Sequence, residues 1–309
     1  DIELSGFSDL QYVSGKGLPS EADGCQYGQF EFNATAPVNR WITLQGALAL
    51  NQSQEKFEPR LGYVDLNFLD IGAYKRLPSK RSLIKKWGMW IGQFDVPFGI
   101  DYKVLSSIDR ALVHAPLVNE RTIRSWNSIG TAFYLSGSEW NVMLFGVNGF
   151  TEAVAAGGRI GAKLDYDVEL GVSYFREKQT GDSPAPEVYG VDVQWHSAYF
   201  SGKGEIIRSR GILDGVHYSN GVQPQLGVYF QGKYNVWLFS RHPFYLVGRI
   251  GTWTPENRLV IGGGDIGLRE NRITAGIGVP LGFQSELRTE YMVTGKNENL
   301  LTFQLAVGF

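Results

Sequence analysis

The sequence predicts an all-β protein, a closed antiparallel transmembrane β-barrel of about 16 strands with short periplasmic turns and long external loops. Three observations carry this. Apolar residues recur at every second position along almost the whole chain. The alternating stretches run to about eleven residues, against the ~5–6 usual for a soluble strand. The connections between them are short and long by turns.

The alternation is read directly. In QFEFNATA, Phe30, Phe32 and Ala34 share one face, and in ITLQGALAL so do Ile42, Leu44, Leu48 and Leu50. RIGAKLDYDVELGVSYFRE gives two strands about a tight turn, with Ile160, Ala162 and Leu164 answered by Val168, Leu170, Val172 and Tyr174. FQSELRTEYMV sets Phe283, Leu287, Tyr291 and Val293 against Gln284, Glu286, Arg288 and Glu290. Such a period of two marks strands with one apolar and one polar face. The expected strands are 1–12, 26–36, 40–51, 58–71, 85–95, 126–136, 139–149, 155–166, 168–178, 187–197, 199–209, 224–235, 242–253, 269–279, 282–293 and 299–309. Together they form a single domain, 1–309, and no amphipathic helix longer than a few turns stands out.

With Asp1 on the periplasmic side, one set of turns is short: Pro37–Asn39, Ser136–Ser138, Tyr166–Asp167, Ser197–Ala198 and Pro280–Gly282. The exception is the basic, proline-punctuated 72–84. The other set is longer: 13–25, 96–125, 179–186, 210–223 and 254–268. Aromatic residues fall at strand ends, as girdles at two lipid–water boundaries require: Tyr189 and Trp195, Phe283 and Tyr291, Tyr166, Tyr174 and Phe309. The last strand, NLLTFQLAVGF, is expected to close the barrel against DIELSGFSDLQY. Its terminal Phe309 is similar to the C-terminal aromatic of outer-membrane proteins, a resemblance that implies a role as assembly signal.

Composition sets limits. Of 309 residues, 43% are hydrophobic, 13% aromatic and 19% charged, which is too ordered a vocabulary for a disordered chain. A formal net charge of −2 argues against nucleic acid as a partner. No run approaches the roughly 18–20 apolar residues of a spanning helix, and the slightly negative mean hydropathy is what a barrel wet on one face also gives. The single cysteine, Cys25, leaves no intrachain disulfide and reads as a lone thiol. The chain opens on a strand pattern, which suits a mature form whose targeting segment has been removed.

At WIGQFDVPFGIDY a strand ends in G-x-F-x-x-P-F-G and leads into a loop closing on Glu120 and Arg121. The next segments, IGTAFYLSGSEWNVMLFGVNGF, end in Val147, Asn148 and Gly149. This pattern, best over 85–178, resembles the outer-membrane porins of the phosphate-selective O/P family. The resemblance implies a water-filled channel in the bacterial outer membrane, surrounded by lipid, requiring no cofactor, with a homotrimer as the assembly. It also implies that the long loop 96–125 folds into the lumen and narrows it.

Loop 96–125 carries Asp101, Lys103, Asp109, Arg110, His114, Glu120, Arg121 and Arg124, the candidate pore constriction. Mixed charge across a narrow passage is how pores select among polar solutes. A solvated surface loop is the plainer alternative, but a loop of about thirty residues is usually functional or disordered, and this one keeps many apolar residues. Its SSIDRALVH stretch is a candidate helical turn. On the wall, Arg159, Lys163, Arg249, Arg272 and Arg288 stand with Asp192, Glu286 and Glu290, and also Glu31, Glu169 and Glu205. A lipid-facing charge costs roughly 2–4 kcal/mol near the midplane, so these point inward. The signs are mixed and form no cation ladder, so phosphate selectivity is not carried over from the family.

Enzyme readings find no constellation. His114, His196, His217 and His242 lack H-E-x-x-H or similar metal spacing. HSAYFSG offers a Ser and a His without a triad, and IGGGDIG does not open a helix. The expected function is passive diffusion of small polar or anionic solutes. The alternative is a barrel that sheathes a partner such as a multihaem cytochrome; with no C-x-x-C-H, this chain would not bind c-type haem itself.

Overall fold

The computed structural model describes residues 1–16, 23–51, 57–68, 84–104, 106–124, 126–151, 153–164, 167–179, 185–213, 216–217, 224–236, 243–255, 260–261, 264–265, 269–282, 284–295 and 298–309. Sixteen strands form one closed antiparallel barrel in sequence order. They are β1 (Glu3–Lys16), β2 (Gly24–Pro37), β3 (Ile42–Asn51), β4 (Glu58–Asn67), β5 (Lys86–Asp95), β6 (Asn127–Ser136), β7 (Trp140–Asn148) and β8 (Val154–Leu164). The series continues with β9 (Val168–Glu177), β10 (Glu187–His196), β11 (Phe200–Arg210), β12 (Gln225–Val236), β13 (Phe244–Pro255), β14 (Glu270–Gly282), β15 (Ser285–Thr294) and β16 (Asn299–Gly308). Two small ladders, Ile212–Leu213 on Val216–His217 and Val260–Ile261 on Gly264–Asp265, lie in connections outside the ring.

Closure follows from the alternation. β16 lies against β1 in register from Phe7↔Gly308 to Lys16↔Asn299. Gly6 and Phe309 exchange both backbone hydrogen bonds at 3.0 Å, so the first and last strands of the ring leave no open edge between them. Along β16 the residues Thr302, Gln304 and Ala306 are buried inward while Phe303, Leu305, Val307 and Phe309 are exposed outward. The same parity holds on β9, where Leu170, Val172 and Tyr174 face out and Ser173, Phe175 and Glu177 face in. A wall with apolar side chains on its outside and polar ones within is the inverse of a soluble barrel and is stable only against lipid.

The girdle aromatics pair at the ends of this outer face. Tyr174 and Tyr189 meet at 4.9 Å between ring centroids, and Trp195 stacks on Phe230 at 5.4 Å. Arg176, Arg208 and Arg210 also point outward, but at the end of the wall level with or beyond Tyr189, where the lipid boundary is passed. Tyr166, Phe283 and most of the 72–84 turn lie outside the described residues. Strand 58–71 is shorter than expected, ending at Asn67. No described helix is long and apolar enough to cross a membrane.

Candidate functional site

The connection between β5 and β6 begins with a turn that the sequence explains residue by residue. Val96 N–H donates to Trp126 O at 2.9 Å, which ties the neck of the loop shut. Phe98 N–H then donates back to Val96 O at 2.8 Å, a tight turn about Pro97. Gly99 follows at φ +65°, and a Cβ there would collide with the Glu205 carboxylate. Its N–H donates to Ser173 Oγ at 2.9 Å. The V-P-F-G stretch therefore turns the chain from the wall into the barrel, close against β9 and β11.

Inside, the segment is held by apolar and polar anchors. Phe98, Val118, Ile123 and Trp126 are buried with Phe145, Phe175, Val188, Ile207 and Tyr229 of the wall. Each fully buried side chain of this size contributes roughly 1.5–3 kcal/mol. Leu112 packs with Tyr245 and Val247 of β13. Between these, Arg288 of β15 donates to Ser107 O and, at 2.8 Å, to Ile108 O. Glu290 of β15 accepts from Val113 N–H at 2.6 Å, His114 N–H at 3.2 Å and His114 Nδ1 at 2.8 Å. The segment thus runs through the lumen along β9 to β16. Among its described residues it forms two 3-10 turns, Asp101–Val104 and Ser107–Asp109, and one short helix, α1 (Leu117–Arg121). The turn expected in SSIDRALVH is confined to Ser107–Asp109; the α-helical turn comes later, after Pro116.

The predicted constriction residues divide. Asp101, Arg110, His114, Glu120, Arg121 and Arg124 line one cavity of about 580 Å³ between the segment and the wall. Asp109 is exposed in its 3-10 turn and does not line it. The backbone of Lys103 is in the first turn, but its side chain lies outside what the structure describes. Asp101 is the hub: it accepts from Asn119 at 2.6 Å, from Tyr229 at 3.0 Å and from Lys203. Arg121 pairs with Glu270 at 2.6 Å and lies over the Trp253 ring; Glu120 pairs with Arg272 at 2.7 Å. Burial pulls the Arg110 guanidinium below the usual arginine range, with Asp101 pulling the other way. Burial also raises the neighbouring Tyr102 phenol to about 12, against the lowering pull of Arg159.

Every predicted wall residue is on the inward parity, but not at one level. Arg249 and Arg272 line the cavity. Arg288 and Glu290 hold the segment in place, and Glu286 braces Arg288 at 2.8 Å. Arg159 and Asp192 form a buried pair at 2.7 Å, extended by Glu169 at 3.1 Å and Asn141 at 3.2 Å. Lys163 is at the rim, half exposed and paired with Asp167 at 3.2 Å.

Several contributors go beyond the predicted set. Lys203 and Gln231 line the cavity, and Lys233 sits 3.8 Å over the Tyr245 ring. All three occupy the polar face of predicted strands, so the alternation already pointed to them. Arg60, which bridges Glu31 at 2.5 Å and Asp95 at 3.0 Å, sits where the β3–β4 register shifts, and simple alternation cannot place it. The large apolar cluster inside the barrel was not expected of a polar lumen; Phe145, Phe175 and Val188 interrupt the alternation on the inward side. Among the described residues, no group of three His, Cys, Asp or Glu is placed to hold a metal ion. His242 lies outside the described residues.

No protein-family model matches the chain, and no curated protein matches it by sequence. Solved structures do. The chain is similar to OmpF of Salmonella typhi in complex with daunomycin, with TM-score 0.69 and 12% identity over 100% of this chain and 97% of that one. It is similar to the outer membrane channel DcaP of Acinetobacter baumannii, with TM-score 0.66 and 12% identity over 100% and 97%. It is also similar to OmpT, an outer membrane protein of Vibrio cholerae in its trimer form, with TM-score 0.66 and 10% identity over 100% and 99%. At these identities the likeness is one of fold, and the fold is that of bacterial outer-membrane barrels.

Proposed function

We propose that this chain is a non-enzymatic diffusion channel of the bacterial outer membrane, passing small polar solutes with a preference for anions. The observation that carries the reading is the segment 96–126 lodged inside the barrel. It leaves a cavity whose charged lining, among the described residues, is six cationic side chains, Arg110, Arg121, Arg124, Lys203, Arg249 and Arg272, against three acidic ones, Asp101, Glu120 and Glu205. Such an excess stabilises an anion in transit and repels a cation of equal size. The predicted residues Asp101, Arg110, His114, Glu120, Arg121 and Arg124 act as the constriction, and Arg249 and Arg272 as the wall that faces them.

Kinship with the phosphate-selective O/P porins rests on the G-x-F-x-x-P-F-G turn, whose geometry at Pro97 and Gly99 is what sends the loop inward. A homotrimer is supported by the trimer form of the similar OmpT. A barrel sheathing a multihaem partner would need segment 96–126 to leave the lumen, against the burial of Phe98, Val118, Ile123 and Trp126. That reading is the weaker one.

Planar-bilayer recording of the purified protein tests the proposal. Stable conductance steps and a reversal potential on the anion side in a potassium chloride gradient are expected. A silent protein, or one that favours potassium, would overturn it.

A further inference from the structure

The cavity is not uniform, and its two poles come from neighbouring arcs of the wall. On one side Arg249 of β13 and Arg272 of β14 face Arg110 of the segment. Toward the other, Phe98 and Trp126 line the cavity while packing on Phe175 of β9, with ring centroids at 5.8 and 4.5 Å. Val96 and Ile123 extend that apolar pole.

The cationic pole is incompletely neutralised. Arg249 is only 4% exposed, yet among the described residues it makes no hydrogen bond or ion pair, and its Nη2 has no acceptor. Arg272 is engaged through Nη1 with Glu120 at 2.7 Å, while its Nε also has no acceptor. The acids near enough to act on Arg249 are already used. Glu290 serves Val113 and His114, Glu120 serves Arg272, and Asp101 serves Lys203, Asn119 and Tyr229. A buried guanidinium without a partner is an expensive arrangement, and an incoming anion relieves it.

From this juxtaposition we propose that the cavity is a binding site for a small organic acid with an apolar body. Its carboxylate sits at Arg249, Arg272 and Arg110, and its aromatic or branched aliphatic part lies along Phe98, Ile123 and Trp126. The inference rests on the channel reading and sharpens it. An inorganic anion satisfies the cationic pole alone, and a neutral solute the apolar pole alone; an apolar carboxylate satisfies both. The site delays such a solute in the lumen and so concentrates it from dilute solution.

Isothermal calorimetry on the detergent-solubilised protein, with benzoate, acetate, benzamide and inorganic phosphate as probes, tests this without requiring conductance. Benzoate is expected to bind at least tenfold more tightly than any of the other three. R249Q is expected to abolish that preference and R249K to retain part of it. Each variant is first checked for folding by its heat-modifiable mobility. Acetate or phosphate binding as tightly as benzoate would overturn the proposal, as would R249Q binding benzoate unchanged. If R249Q does not fold, the comparison of the four probes on the parent protein decides by itself. In bilayers the same benzoate should block current. A conducting channel indifferent to benzoate sinks this inference and leaves the channel reading intact, whereas benzoate binding to a protein that never conducts sinks the channel reading.

Discussion

Replacing Glu290 by alanine is the sharpest probe of how the lumen segment is held. Its side chain is 1% exposed, and it accepts two backbone N–H groups, Val113 at 2.6 Å and His114 at 3.2 Å, besides the His114 ring. Removing it leaves those donors facing a cavity, and breaking a buried charged contact by deleting one partner costs about 3–5 kcal/mol. At 1.4 kcal/mol per tenfold, this shifts the docked-to-undocked ratio of residues 110–115 by about two to three and a half orders of magnitude. The barrel itself loses little, because the ladder hydrogen bonds of β15 to β14 and β16 do not involve the side chain. E290A should therefore open to larger and noisier single-channel currents while keeping the parent's thermal unfolding of the barrel. Parental conductance and parental noise in E290A would refute the docking argument. A collapse of the barrel's thermal transition would show instead that Glu290 supports the wall.

Three further outcomes are expected. Replacing Arg110, Arg121 and Arg124 together by glutamine removes three of the six cavity cations and strips Glu270 of its partner, so the anion-to-cation permeability ratio should fall; an unchanged reversal potential removes the segment from the selectivity filter. R159M strands Asp192, which is fully buried in their pair, so the urea midpoint of the barrel should drop by the equivalent of about 3–5 kcal/mol, and an unmoved midpoint contradicts the pair's role. Cys25 is exposed at the end of β2 away from the termini, so a membrane-impermeant maleimide should label it on intact cells, and labelling only after the outer membrane is opened would invert the assigned orientation.

The barrel was legible because its signal is local. A strand that meets lipid on one face and water on the other writes that fact into every second residue, as Phe303, Leu305 and Val307 do on β16. Short turns and strand count follow from the same pattern. The site was legible only in part. The turn at Pro97 and Gly99 announces that the chain leaves the wall, yet where it goes depends on pairings 70 to 180 residues away, such as Gly99 with Ser173 and Arg288 with Ile108. No periodicity encodes those. The inward apolar residues Phe145, Phe175 and Val188 make sense only once Phe98, Val118 and Trp126 are set against them. Alternation distinguishes the two faces of a wall, but it cannot tell a water-filled interior from one partly filled by the chain itself.

Charge shows the same gap between count and arrangement. The chain carries a formal net charge of −2, and its polar face mixes both signs, which argues at the level of the sequence against any cation ladder. Within the fold, position decides. Asp192 is spent on Arg159, Glu290 on the segment's backbone, and Glu270 on Arg121. None of these three acids lines the cavity, whereas Lys203, Arg249 and Arg272 all do. A mildly acidic protein thus lines this cavity with more cations than acids, because Asp192, Glu270 and Glu290 are spent as fasteners that fix the loop and wall.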